Sequence, residues 1–171
     1  MKEVFLVYLS EIFGSRLFSV KLPLSKDELS AKIKKEFKER EYVIEVMDNH
    51  GLYLNEFTNI QLLNEFAQLI VDKEIDEKTL ECIAEAGQNS LEDVKTIIEN
   101  GTYSIIDSND NFSDIEKDLG YALHSNKLLN FDLPEELVSK GYIDFEAIGR
   151  DAMISFGWEY VSQHKSFCRT W

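Results

Sequence analysis

Acidic and basic residues are segregated along this chain, and that segregation limits how it can fold. Residues 41–160 carry 26 Asp and Glu against 7 Lys and Arg, a net of −19. Residues 1–40 are net +3 and residues 161–171 net +2. Excess like charge opposes compaction. The middle of the chain must therefore turn its acids outward and build its core from regularly spaced apolar residues. The supply is ordinary: of 171 residues 44% are hydrophobic, including 11 Phe, 7 Tyr and 2 Trp, so wholesale disorder is not expected. Pro23 and Pro134 are the only prolines and no Pro- or Gly-rich linker occurs, so any lobes should pack closely.

Local signals divide the chain into three small lobes of an elongated α+β protein: 1–60, 61–103 and 104–171. In the first, Val4–Leu9 and Leu17–Leu22 read as a hairpin turning at Gly14-Ser15, and Tyr42–Met47 as a third strand. Between them Ser25-Lys-Asp-Glu28 is a capping box. It opens a helix to about Arg40 with Leu29, Ile33 and Phe37 on one face and Lys32, Lys34, Lys35 and Lys38 elsewhere. The second lobe is helical, with Thr58, Asp76 and Ser90 as caps and Asn100-Gly101 as a stop. The last lobe is mixed and is expected to dimerise. Tyr103–Ile106 reads as a strand, Ser113-Asp-Ile-Glu116 as a capping box, and Pro134 as the start of a short helix ended by Gly141. Ile154, Phe156, Trp158 and Tyr160 alternate with Ser155, Gly157 and Glu159, which predicts a strand with one large apolar face. Such a face marks an interface, here a two-fold dimer contact, unless helices of its own lobe cover it.

Catalytic signatures are absent. His50, His124 and His164 lie far apart, none with a ligand partner at metal-binding spacing, and no nucleophile elbow, phosphate loop or dinucleotide fingerprint occurs. Asp107-Ser-Asn109-Asp110-Asn111-Phe112-Ser113 starts like a calcium loop. Its sixth position, which needs Gly, is Phe112, and its twelfth is Asp118. Gly149-Arg150-Asp151 reads as structural: Gly for a tight turn, Arg for a buried or interface ion pair with an aspartate. Cys82 and Cys168 are isolated, giving neither a disulfide framework nor a zinc site. With no signal-peptide core and no stretch approaching a transmembrane helix, the reading is a reduced, cytoplasmic protein. No cofactor and no metal are expected.

What stands out is carboxylates in rows. Glu77, Glu81 and Glu85 fall at i, i+4, i+8 of one predicted helix, and Asp114 and Asp118 at i, i+4 of another, with only Lys78 and Lys117 nearby. Duplex DNA presents one negative charge per about 1.7 Å of axis, and helices with acidic outer faces approximate such a strip. Glu65, Asp72, Glu74, Asp76, Glu92, Asp93, Glu99, Asp107, Asp110, Glu116, Glu135 and Glu136 extend it. For any one of them a solvated helix face is the plainer explanation.

Two segments carry a resemblance. Val46-Met-Asp48-Asn-His-Gly-Leu-Tyr-Leu-Asn-Glu56-Phe57-Thr58-Asn-Ile60-Gln-Leu62-Leu63-Asn64-Glu65 joins the first lobe to the helical one. Leu133-Pro134-Glu-Glu-Leu137 precedes Tyr142-Ile143-Asp144-Phe145-Glu146-Ala147-Ile148-Gly149-Arg150-Asp151. Both resemble the ArdA-type antirestriction proteins, and length, acidity and lobe order agree across the chain. Asn49-His50 replaces an aromatic-Glu pair of that pattern, and the basic surplus of residues 1–40 departs from it. The resemblance implies a bacterial protein of mobile genetic elements, an elongated bent homodimer joined through its C-terminal lobe. It implies no enzyme and no nucleic-acid binding, but a DNA mimic that occupies the DNA-binding site of type I restriction-modification enzymes. The alternative from charge alone is an acidic adaptor or immunity-type protein for another basic partner. A hydrolase would need two acids converging in a pocket.

Overall fold

In a computed structural model, which describes residues 3–87, 90–109 and 113–171, period-two burial builds the first sheet. Strand β1 (Phe5–Glu11) buries Phe5, Val7 and Leu9 on one face. It pairs antiparallel with β2 (Leu17–Leu22) on one side and β3 (Tyr42–Val46) on the other, so Val7 lies opposite both Val20 and Val46. Helix α1 (Lys26–Phe37) supplies buried Leu29 and Phe37 to the same core, and Ser25 Oγ accepts from the Glu28 amide at 3.2 Å. The helix stops short of Arg40 because Lys38 takes a positive φ of 59°.

Three helices follow: α2 (Ile60–Asp72), α3 (Glu77–Ala86) and α4 (Leu91–Asn100). Asp76 and Ser90 cap α3 and α4 as expected, and Gly101 ends α4 in the left-handed region. At α2 the cap is Asn59, not Thr58. Asn59 Oδ1 accepts from the Gln61 and Leu62 amides, while Thr58 Oγ1 accepts from Asn55. Buried Asn64 joins this helix to the first lobe: its Oδ1 accepts from the Leu24 amide and its Nδ2 donates to the Leu24 carbonyl, both at 2.8 Å.

The second sheet has the order β4-β6-β5, all antiparallel, from β4 (Tyr103–Asp107), β5 (Trp158–Val161) and β6 (Ser166–Thr170). Its central strand β6 has Cys168 in the core shared with the first lobe and α3, and Phe167 in a second core with Ile106, Leu119, Ala122, Leu123, Ala152 and Trp158. Adjacent residues of a strand face opposite sides, so β6 partitions the two cores. Against the second core lie α5 (Ile115–Ser125) and α7 (Phe145–Phe156); the short α6 (Glu135–Ser139) precedes α7. Asp114, not Ser113, caps α5 by accepting from the Lys117 amide. With two antiparallel sheets and seven α-helices among the described residues, the protein is α+β as its sequence predicts.

Two expectations for the last lobe need correction. Residues 154–160 are not one strand. Ile154 and Phe156 end α7, Gly157 caps it with φ 70°, and only Trp158 and Tyr160 belong to β5. The spacing of Phe145, Ile148, Gly149, Ala152 and Phe156 is helical, and it wins over the shorter alternation. Nor does Gly149 make a turn. It lies inside α7, where an added Cβ would meet the Glu116 carbonyl oxygen at 1.7 Å, and one on Gly120 would meet the Phe145 carbonyl oxygen at 2.0 Å. Glycine on both helices lets the α5 and α7 backbones touch.

Candidate functional site

The helical lobe carries the densest uncompensated charge. Residues 60–100 hold ten acids against three lysines. All three cations are occupied: Lys78 pairs with Asp107, Lys95 with Glu99 at 3.3 Å, and Lys73 Nζ lies 3.5 Å from the Glu99 carbonyl. Glu65, Glu74, Glu77, Glu85 and Glu92 are exposed, and their side chains make no hydrogen bond or ion pair among the described residues. Asp72, Asp76 and Asp93 are exposed too, but each has a local task. Asp72 accepts from Gln68, Asp76 caps α3 through the Thr79 amide, and Asp93 accepts from Ser90 Oγ at 2.6 Å.

The row on α3 is interrupted. Between exposed Glu77 and Glu85, Glu81 is 17% exposed; its Oε2 lies 2.5 Å from His164 Nε2 and 3.0 Å from Gln163 Nε2, and its Oε1 is 3.7 Å from His50 Nδ1. The row on α5 fails more completely. Asp118 is 3% exposed and accepts from Ser108 Oγ at 2.5 Å, so it is a core residue and faces no partner. Asp114 is a half-buried cap, and Glu116 is held by Arg150 at 2.9 Å. Arg150 therefore pairs on the surface with Glu116 and Glu146, with no aspartate and no burial. Asp107, exposed, accepts from Lys78 and Ser166, which hold its carboxyl below the ordinary range. Glu135 and Glu136 are exposed on α6, the latter beside Lys140. Asp110 lies outside the described residues.

Exposed acids that the row pattern missed include Glu41 and Glu45 around β3, Glu56 ahead of α2, and Asp151 and Glu159 in the last lobe. They stand singly, so no spacing marks them. Also missed was a convergence of Asp48, His50, Glu77, Glu81 and His164, residues up to 116 apart in number.

The four residues expected at a dimer contact split up. Ile154 is 77% exposed and Phe156 half exposed, but Trp158 is buried and half-buried Tyr160 packs its ring 5.1 Å from that of Phe167. Phe156 and Trp158 instead line a cleft of about 410 Å³ with Leu123, Leu128, Phe131 and Ile148. Arg169 sits over the Phe156 and Trp171 rings.

Together these features define a class: an α+β protein whose helical lobe presents carboxylates to solvent with its few cations already engaged. Such a surface is complementary to a basic partner. The chain matches the family model for antirestriction protein (ArdA) over residues 18–165, and it belongs to that family. No curated protein and no solved structure matches it. Among the described residues no helix is long and apolar enough to cross a membrane.

Proposed function

We propose that this antirestriction protein is a DNA mimic that inhibits type I restriction-modification enzymes by occupying their DNA-binding site. The observation that carries the reading is the surplus of exposed carboxylates across residues 60–100, which hold ten acids against three occupied lysines. A channel that binds duplex DNA offers Lys and Arg spaced for phosphates, and its counterions are released to whichever polyanion enters. Carboxylates fixed on helices enter without the ordering cost of a flexible acidic tail. The partner-facing set is then Glu65, Asp72, Glu74, Glu85, Glu92, Asp93 and Glu99, extended by Asp107, Glu135 and Glu136. Glu81, Asp114, Glu116 and Asp118 hold the scaffold. No cofactor takes part. Two copies joined through the exposed Ile154 and Phe156 would lengthen the acidic surface, with Trp158 and Tyr160 supporting that face from below. The experiment is to titrate a purified type I enzyme with the protein while following its DNA binding and cleavage. Loss of both in parallel supports the reading; cleavage lost with DNA still bound contradicts it.

A further inference from the structure

We propose that the chain holds a divalent metal ion of the zinc type at the junction of the β3–α2 loop and α3, with His50 Nδ1, Asp48 and Glu77 as its ligands. One candidate ligand atom from each lies within 4.8 Å of the others. The orientation of the histidine is what makes this more than a cluster of acids. His50 Nε2 is 3.1 Å from the Val4 carbonyl oxygen, which only accepts, so Nε2 carries a proton and Nδ1 is the ring nitrogen left to take a metal. That Nδ1 atom is buried and has no hydrogen-bond partner among the described residues. Around it stand other acceptors: Asp48 Oδ1 at 3.4 Å and Glu81 Oε1 at 3.7 Å, both carboxylate oxygens. With carboxylates on this side, Nδ1 requires either a proton or a metal cation between it and them.

The distances suit a metal. Four ligands on bonds of about 2.1 Å in a tetrahedron stand about 3.4 Å apart. Outer contacts agree as well. A metal-bound histidine commonly donates its other N–H to a carbonyl or carboxylate, and ligating carboxylates are themselves hydrogen-bonded. Here Val4 holds Nε2, the His50 amide donates to Asp48 Oδ1 at 3.1 Å, and Glu81 Oε2 is held by His164 and Gln163. Glu81 Oε1, 3.7 Å from His50 Nδ1, adds negative charge beside the three ligands, and a cleft of about 120 Å³ lined by Glu3, His50 and Glu77 gives the ion a way in. One imidazole with carboxylates and no thiolate favours zinc and its first-row neighbours over Ca²⁺ and Mg²⁺, which prefer oxygen alone. Because these groups come from the first lobe, α3 and the turn before β6, the ion would tie the three together.

Zinc chloride is titrated calorimetrically into the full chain, with magnesium and calcium chloride as parallel arms. Wild type is compared with Asp48→Asn and Glu77→Gln, exposed positions whose substitution leaves the core intact. The expected result is one Zn²⁺ per chain, no comparable magnesium or calcium binding, and an affinity loss of about tenfold or more in either variant. The His50 ring ¹⁵N shifts should report an unprotonated, metal-bound Nδ1. Absence of zinc binding, equal binding in both variants, or a protonated Nδ1 in excess zinc would each overturn the proposal.

Discussion

Lys78 reaches from α3 to Asp107 at the end of β4, so this ion pair joins the Glu81–His164 contact in linking the helical and C-terminal lobes. Hydrogen bonds from Lys78 and then Ser166 favour the charged Asp107 carboxylate and lower its pKa. A depressed folded pKa contributes stability above the unfolded value and loses it as the pH falls through the folded one. The Asp107 contribution should thus fade only below about pH 3.9. NMR titration should find its pKa below the ordinary value, moving upward in Lys78→Ala; no movement would remove the pair from the account. The two thiols behave oppositely. Burial pushes Cys82 up to about 11 and Cys168, beside it, to about 12. Both are fully buried and free. Since the thiolate is the reactive form, a thiol reagent at pH 8 should label neither in the native protein and both after unfolding; rapid native labelling would contradict the burial. Asn64 is the residue whose loss should cost most at this scale. Removing its amide in Asn64→Ala leaves both polar groups of Leu24 unpaired and should destabilise the protein by about 1–3 kcal/mol in urea unfolding.

The elements legible in the sequence are those specified by neighbours in the chain. Ser25, Asp76 and Ser90 each bond the amide three residues on, and Gly101 supplies a left-handed stop; both are local events that spacing reveals. Strand β6 had no such signature, because Phe167 and Cys168 are buried on opposite faces and leave no alternation to read. Helix α7 was hidden behind the chance alternation of residues 154–160. Its role depends on Gly149 meeting α5, a partner 29 residues earlier. Gly149→Ala would drive a methyl into the Glu116 carbonyl, so it should cost about 1–3 kcal/mol from overpacking, visible as a lower urea midpoint. The candidate site was legible in the same uneven way. Acidity and helical rows are in the sequence, and Glu77 and Glu85 are exposed on α3. Burial of Asp118 and capture of Glu81 by His164 arise from tertiary contacts across 10 and 83 residues, which periodicity cannot report. Hence Glu85 and Glu92 are clean probes of charge, and Glu81 is not. Glu85→Gln alone should weaken inhibition by less than about fivefold, the scale of one exposed ion contact. Glu65, Glu74, Glu85 and Glu92 neutralised together should weaken it progressively and flatten its salt dependence. One substitution abolishing inhibition in a folded protein would contradict a distributed mechanism.

For the whole molecule, 32 acids against 18 basic residues oppose affinity for DNA, and a DNA-binding assay at physiological salt should find none beyond a weak contact through Lys32–Lys38. The basic surplus is confined to the ends of the chain, so the mimic would be carried by the middle and late segments. Assembly belongs at this scale too. Ile154, Phe156, Phe131 and Leu128 leave apolar surface at the C-terminal lobe, and sedimentation at micromolar concentration should give a two-fold dimer that Ile154→Glu weakens. The most direct test of the central claim is a competition. A type I restriction enzyme carrying fluorescent duplex DNA is titrated with the protein at low and at physiological salt. Displacement of the duplex should saturate at a fixed stoichiometry, cleavage should fall in step with it, and the apparent affinity should drop as salt rises. Cleavage that stops while the duplex stays bound would contradict occupation of the DNA site.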